Sequence, residues 1–383
     1  VDHSGFDSGR LARIEEVVTA DIARGRYYGT SIKVARGGDL ALDLTLGSAD
    51  AEGVVPLRPD TVFSILSVTK AFINTLILRA VDLGRVSLTA RMTDYIPEYT
   101  GAPRERATIL HFLTHTTGVP AMWEMRPDQY FDDLDDILET VVRHALGSNE
   151  PGLRCDYSPM ANHVLLAAVL CRVDPAGRRI GQILQEDLFE PLGMSDTGLG
   201  LRPHMKQRHA FPDMRGIVPV KALSRSEPGD NGLYAAESNE AAWMGAASTT
   251  GDLFRLAEML RRGGELEGTR ILSPRIIQLA RQNHTGDLPN ELYKAVALRA
   301  GYAPPPAYIG LGFSVRGDRI VDHQFGTLTS SETFGNYGAG SSMFWIDPVL
   351  DITFVALSSG LLPQADNIRR FQQLSDLVVG AAI

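Results

Sequence analysis

The sequence predicts an α+β fold: one antiparallel sheet built from both ends of the chain, flanked by N- and C-terminal helices, with a mainly helical domain inserted between its halves. Three observations predict it. Strand-like runs crowd both ends of the chain, the stretch from about Ala71 to Leu260 carries mostly helical periodicity, and a helical pattern stands outside the strands at each terminus. The expected division is a discontinuous sheet domain, residues 1–85 and 245–383, and a helical domain, residues 86–244.

Each element has its own warrant. Leu11, Ile14, Val17, Val18 and Ile22 recur at three- and four-residue spacing and Gly25 follows as a stop, which predicts a first helix. Thr30–Ala35 and Leu40–Leu46 read as strands, with Gly37-Gly38-Asp39 as hairpin chemistry between them. Ala71–Leu83 is an apolar run closed by Gly84, the form of a buried helix. Asn162–Val173 reads as another helix, and Pro203–Gly232 as a loop. Near the far end, Ile309–Arg316, Arg319–Phe325, Ser342–Ile346 and Ile352–Leu357 read as strands, and Asn367–Val379 as a closing helix.

Charge and composition exclude several functions. The chain has 37 Lys and Arg against 46 Asp and Glu, a net charge of −9, and no basic run to meet a nucleic acid backbone. The longest apolar run, Val164–Cys171, is far short of the ~18 residues of a membrane helix. The opening Val-Asp-His-Ser shows no Met and no basic-then-apolar leader, so any signal peptide has been removed or never existed; a cytoplasmic protein is expected, with a removed signal peptide as the alternative. Cys155 and Cys171 fall before and at the far end of one predicted helix, which predicts free thiols rather than a bridge. The histidines show no zinc spacing, and neither metal nor cofactor is expected.

The sharpest chemical signal is Ser67-Val68-Thr69-Lys70 at the start of the apolar helix. Free N–H groups and the positive dipole end there favour negative charge developing on Ser67. Lys70 lies one turn on, on the same face, and a desolvated lysine of lowered pKa can take the serine proton. The same residues also fit a helix cap and a surface lysine. Against that, a lysine in the first turn of an otherwise apolar helix is costly to bury without a task.

Further segments carry a resemblance. Leu113-Thr114-His115-Thr116-Thr117-Gly118, Asp156-Tyr157-Ser158, Gly245–Leu253 and Phe334-Gly335-Asn336-Tyr337-Gly338-Ala339-Gly340 follow Ser67-x-x-Lys70 in order. From about residue 10 to 360 the chain resembles the serine hydrolase family of class C β-lactamases, DD-peptidases and family VIII carboxylesterases. The resemblance implies a β-lactamase/transpeptidase-like fold and a catalytic set of Ser67, Lys70 and Tyr157. It implies an oxyanion hole from the backbone amides of Ser67 and Ala339, with Asn336, Tyr337 and Gly338 beside the substrate. Tyr157 is expected to be held as phenolate by the Lys70 ammonium, the two titrating as a coupled pair. His115 is expected to hydrogen-bond within the fold. Trp123 and Trp243 fit cleft walls, although a buried Trp is more often core, and His163 at the helix start can face the cleft or the core.

The sequence also departs from the family pattern. Pro159 stands where penicillin-binding relatives place an Asn two residues after the Tyr, and the next Asn, Asn162, reads as a helix cap. Asn336 and Tyr337 replace the family's Lys or His and its Thr. Without that cation a substrate carboxylate is costly to desolvate. The expected activity is therefore a carboxylesterase on small uncharged esters. Acyl transfer, amide hydrolysis, β-lactamase or DD-peptidase activity are the alternatives within the family, and a non-catalytic sensor on the same fold is the alternative outside enzymes. The expected partner is a small ester or amide.

Overall fold

The computed structural model describes residues 5–121, 123–213, 221–299, 301 and 303–383. The opening Val1–Ser4, and residues 214–220 of the expected Pro203–Gly232 loop, lie outside the described residues.

Two short helices open the chain, α1 (Ser8–Leu11) and α2 (Arg13–Ala23), and the Asp7 side chain caps the first. Strands β1 (Gly29–Arg36) and β2 (Asp39–Gly47) form a hairpin. Its turn residues Gly37 and Gly38 have φ of 63° and 95°, the left-handed pair that matches strand twist. Strand β3 (Val62–Ser64) leads through a 3-10 turn, Leu66–Val68, into α3 (Thr69–Asp82).

The helical stretch follows: α4 (Ile109–Leu113), α5 (Leu134–His144), α6 (Pro159–Val173) and α7 (Ile180–Leu184). Short strands β4 (Gly198–Leu199), β5 (His209–Ala210) and β6 (Ala246–Ser248) join β3 in a four-stranded sheet, order β4-β6-β3-β5. Their two or three residues are too few to show a period in sequence. Helix α8 (Thr250–Arg261), the small hairpin β7 (Glu265–Leu266) and β8 (Thr269–Arg270), and helices α9 (Pro274–Ala280) and α10 (Glu291–Arg299) come next. The chain ends with β9 (Ser314–Val315), β10 (Phe334–Gly338), β11 (Ser342–Asp347), β12 (Ile352–Ser359) and α11 (Gln364–Ala381).

The main sheet runs β2-β1-β12-β11-β10-β9, antiparallel throughout, so both ends of the chain share it as expected. Its strands alternate faces with a period of two. Met343, Trp345, Phe354 and Ala356 face a core made with Ile14, Val18, Phe371 and Leu374 of the terminal helices. Phe344, Ile346, Val355 and Leu357 face the other way, into a core shared with α3, α6 and α8. Both faces are covered, which explains why every residue of β12 is buried.

Two expected strands differ. Of Ile309–Arg316 only Ser314–Val315 is strand, because the chain doubles back at Gly312 (φ 81°) and pairs Ile309 with Ser314. Arg319–Phe325 is not a strand. Side chains of α11 and of the segment itself take the backbone donors here: Gln372 accepts from His323 N, His323 Nδ1 from Phe325 N, and Asp376 from Thr327 and Leu328 N.

Candidate active site

The site is built on the turn that joins β3 to α3. Leu66 holds φ of 47° while buried, a left-handed conformation that a branched side chain adopts only when packing fixes it. The turn places Ser67 just ahead of α3 rather than inside its first α-turn, and half-exposes it. Val68 N donates to Ile65 O, while the Ser67 amide has no partner among the described residues.

Lys70 is buried in the first turn of α3. Its Nζ donates to Trp243 O at 3.5 Å and lies 5.1 Å from the centre of the Tyr157 ring. Among the described residues no carboxylate pairs with it, and burial holds its pKa well below that of an ordinary lysine.

Tyr157 precedes α6, and its hydroxyl donates to Ser67 Oγ at 3.1 Å. His115 positions it from both sides. Asp156 N donates to His115 O, Ser158 N donates to His115 Nδ1, and the His115 and Tyr157 rings lie 4.8 Å apart. Burial, helped by Lys70, lowers the His115 pKa to about 3, so the imidazole is neutral and serves as an acceptor. The expected Tyr157 phenolate is corrected by the same physics. Burial first, and neighbouring Tyr293 second, push its phenol above the ordinary value, and the Ser67 hydrogen bond only offsets this in part. Burial disfavours the charged form of both partners, which favours neutral amine and neutral phenol over an ammonium–phenolate pair.

Strand β10 closes the other side. Ser342 Oγ donates to Ile65 O, tying the β10–β11 turn to the Leu66–Val68 turn. A Cβ on Gly338 would lie 2.6 Å from Ile65 O and 3.2 Å from Ser67 N, so only glycine lets the strand come this close. Ala339 follows, exposed, and its amide has no partner among the described residues. Behind the turn, buried Arg370 donates to Gly340 O and to Ser358 Oγ.

Asn336 is buried, with its Nδ2 3.4 Å from Gly312 O. Tyr337 OH donates to Tyr293 OH (3.3 Å), which also accepts from Gln364 Nε2 (3.4 Å). The Tyr293 ring stacks on Tyr157 at 6.5 Å. Lys70, Tyr157, Tyr293, Asn336 and Tyr337 all line one cavity of about 580 Å³. Arg319 and Arg369 line it too; Arg319 is paired with Asp287, and Arg369 has no partner among the described residues.

Four residues singled out in the sequence lie elsewhere. Asn162 is not a cap: it sits inside α6, where its Nδ2 donates to Phe112 O and His115 Nδ1. His163 is buried against Asn74. Trp243 packs edge-on against Phe131, and neither it, Trp123 nor His163 lines the cavity. Tyr293, Gln364 and Arg369 were missed, because an α10 tyrosine and two α11 polar residues belong to no motif. Cys155 and Cys171 are free. Among the described residues no group of His, Cys, Asp and Glu is placed to hold a metal, and no helix is long and apolar enough to cross a membrane.

Comparison with known proteins agrees with this architecture. The Beta-lactamase family model matches residues 14–378. Esterase/beta-lactamase LipL of Mycobacterium tuberculosis is 24% identical over 94% of this chain and 86% of its own. Esterase EstB of Burkholderia gladioli is 30% identical over a stretch covering 50% of this chain and 53% of its own. Among solved structures, a penicillin-binding protein homologue from Caulobacter crescentus superposes with a TM-score of 0.77, at 25% identity over 97% of each chain.

Proposed function

The chain belongs to the Beta-lactamase family, a family of serine hydrolases, and from that premise we propose that it is a carboxylesterase acting on uncharged esters through an acyl-enzyme on Ser67. The observation that carries the reading is the 3.1 Å contact of Tyr157 OH with Ser67 Oγ, beside a buried Lys70 that has no carboxylate partner among the described residues.

Ser67 Oγ attacks the ester carbonyl carbon, and neutral Lys70 takes the serine proton. The carbonyl oxygen becomes an oxyanion held by the Ser67 and Ala339 amides. The bond to the alcohol oxygen then breaks, and Tyr157 gives that oxygen its phenolic proton. Lys70 restores the proton to Tyr157, leaving both neutral. Water repeats the sequence on the acyl-enzyme, releasing the acid and returning Ser67. The Lys70 ammonium is balanced first by the oxyanion and then by the Tyr157 phenolate, and both charges are gone when each half-reaction ends.

The preference for a neutral ester follows from the substrate side. Asn336 and Tyr337 stand where the family's cation and hydroxyl are expected, and Asn162 is committed to the core. Among the described residues Arg369 is the cavity arginine without an ion-pair partner, so it is the group a β-lactam carboxylate would meet. The test is a panel of p-nitrophenyl esters beside a chromogenic cephalosporin, with a fluorophosphonate probe. Ester turnover and labelling, both lost in Ser67→Ala, support the reading. Absence of labelling in the wild type would return the chain to the non-catalytic alternative.

A further inference from the structure

We propose that the cavity of about 580 Å³ is the subsite for the alcohol half of the ester, and that it selects bulky, largely apolar alcohols. The inference rests on the esterase reading above and goes beyond it, because it assigns the two halves of the substrate to opposite sides of Ser67.

The assignment follows from where the proton must go. The leaving alkoxide needs an acid within hydrogen-bond reach as its bond to carbon breaks. Tyr157 is that acid, so the alcohol oxygen sits beside its hydroxyl. The oxyanion faces the Ser67 and Ala339 amides. The cavity wall contains Lys70, Tyr157 and Tyr337, whereas Ser67, Gly338 and Ala339 are not part of it. It therefore begins at the acid and runs away from the oxyanion amides. A group attached to the alcohol oxygen enters it; a group attached to the carbonyl carbon does not.

The wall also states the chemistry it takes. Ala297, Ile309, Phe313 and Ile368 supply its apolar surface, and Asp322 and Arg369 add charges of both signs. Pockets of ~300–1,000 Å³ hold groups of drug-like size, so the volume suits a branched or cyclic alcohol far better than methanol or ethanol.

The test compares two acetates whose leaving alkoxides have similar basicity, cyclohexylmethyl acetate and ethyl acetate, with an acyl series of ethyl acetate and ethyl octanoate. The wild type should favour the cyclohexylmethyl ester at least tenfold in kcat/KM. Ile368→Trp and, separately, Ala297→Phe should cut that preference at least fivefold while shifting the octanoate-to-acetate ratio less than twofold. Should neither variant fold, the wild type alone decides: cyclohexylmethanol should inhibit competitively at concentrations where octanoate does not. A shift in the acyl ratio instead, or inhibition by octanoate only, assigns the cavity to the acid half and overturns the inference. Equal turnover of both acetates, with phosphonate labelling intact, overturns the inference and leaves the esterase reading standing. No ester turnover and no labelling overturns both.

Discussion

Tyr157 reaches Ser67 across ninety residues of chain, and the hydrogen bond between them depends on a third residue that touches neither hydroxyl. His115 holds the backbone on both sides of Tyr157 through its carbonyl and its Nδ1. Removing the phenolic oxygen should therefore leave the ring in place. Tyr157→Phe is expected to lower kcat on p-nitrophenyl acetate by about 10²–10⁴-fold, the usual worth of a general acid–base group, with Tm nearly unchanged. A variant retaining more than a tenth of wild-type kcat would remove Tyr157 from the proton path.

Lys70 links activity and stability in opposite directions. Its folded pKa is depressed by burial, so between that value and 10.5 the unfolded chain binds more protons than the folded one. Stability therefore rises with pH through this window, and the cost of burying the amine is greatest at the acid end. Lys70→Met should be inactive yet more resistant to urea, with the gain larger at pH 6 than at pH 9.5. In the wild type kcat/KM should rise with pH as the amine becomes neutral, without a matching loss from Tyr157 below pH 10, since burial raises that phenol. A gain in urea resistance that grows with pH would contradict this sign.

Gly338 faces a narrower constraint. A methyl group there meets Ile65 O and Ser67 N, so Gly338→Ala must push β10 away from the Leu66–Val68 turn. Loss of one oxyanion donor typically costs ~10²–10³ in kcat. Overpacking should cost a further ~1–3 kcal/mol of stability. Steady-state kinetics and urea titration check the two effects separately; near-wild-type kcat would mean that the amides do not hold the oxyanion.

Selectivity turns on charge. Losing a charge-assisted hydrogen bond costs ~1.5–3 kcal/mol, or roughly 10–150-fold in binding. Wild-type turnover of a cephalosporin should be poorer than that of an acetyl ester by at least this factor. Asn336→Lys should narrow the gap. Arg369→Gln should remove whatever cephalosporin turnover exists while changing ester turnover much less. Equal efficiency on both substrates in the wild type would refute the carboxylate argument.

The fold's outline was legible because it rests on periods. Strands such as Ile352–Leu357 are bounded by turns, and the apolar helix beginning at Ala71 has a glycine stop. Ser67, Lys70 and Tyr157 were legible through motifs. What sequence did not yield was decided by the environment. The protonation of Tyr157 depends on burial, and Asn162 was misread because a helix start looks the same whether or not its side chain is held from outside. Arg319–Phe325 has strand composition, but its donors are claimed by α11. Tyr293 and Arg369 enter the site from surfaces that only tertiary folding brings together.

The sheet has a consequence for the order in which the molecule is made. Gly29 of β1 is bonded to Ser359 of β12, 330 residues later. At a synthesis rate of ~5–20 residues per second, β1 waits roughly 15–65 seconds on the ribosome for its neighbour. During that time one edge of the β1–β2 hairpin is open to other chains, the hazard that unpaired strand edges carry. Ser67 and Lys70 emerge early, but Gly338 and Ala339 arrive almost last. A nascent chain therefore carries Ser67 long before the strand that is to stand beside it, and on the proposed mechanism activity would begin only when the final strands have joined the sheet.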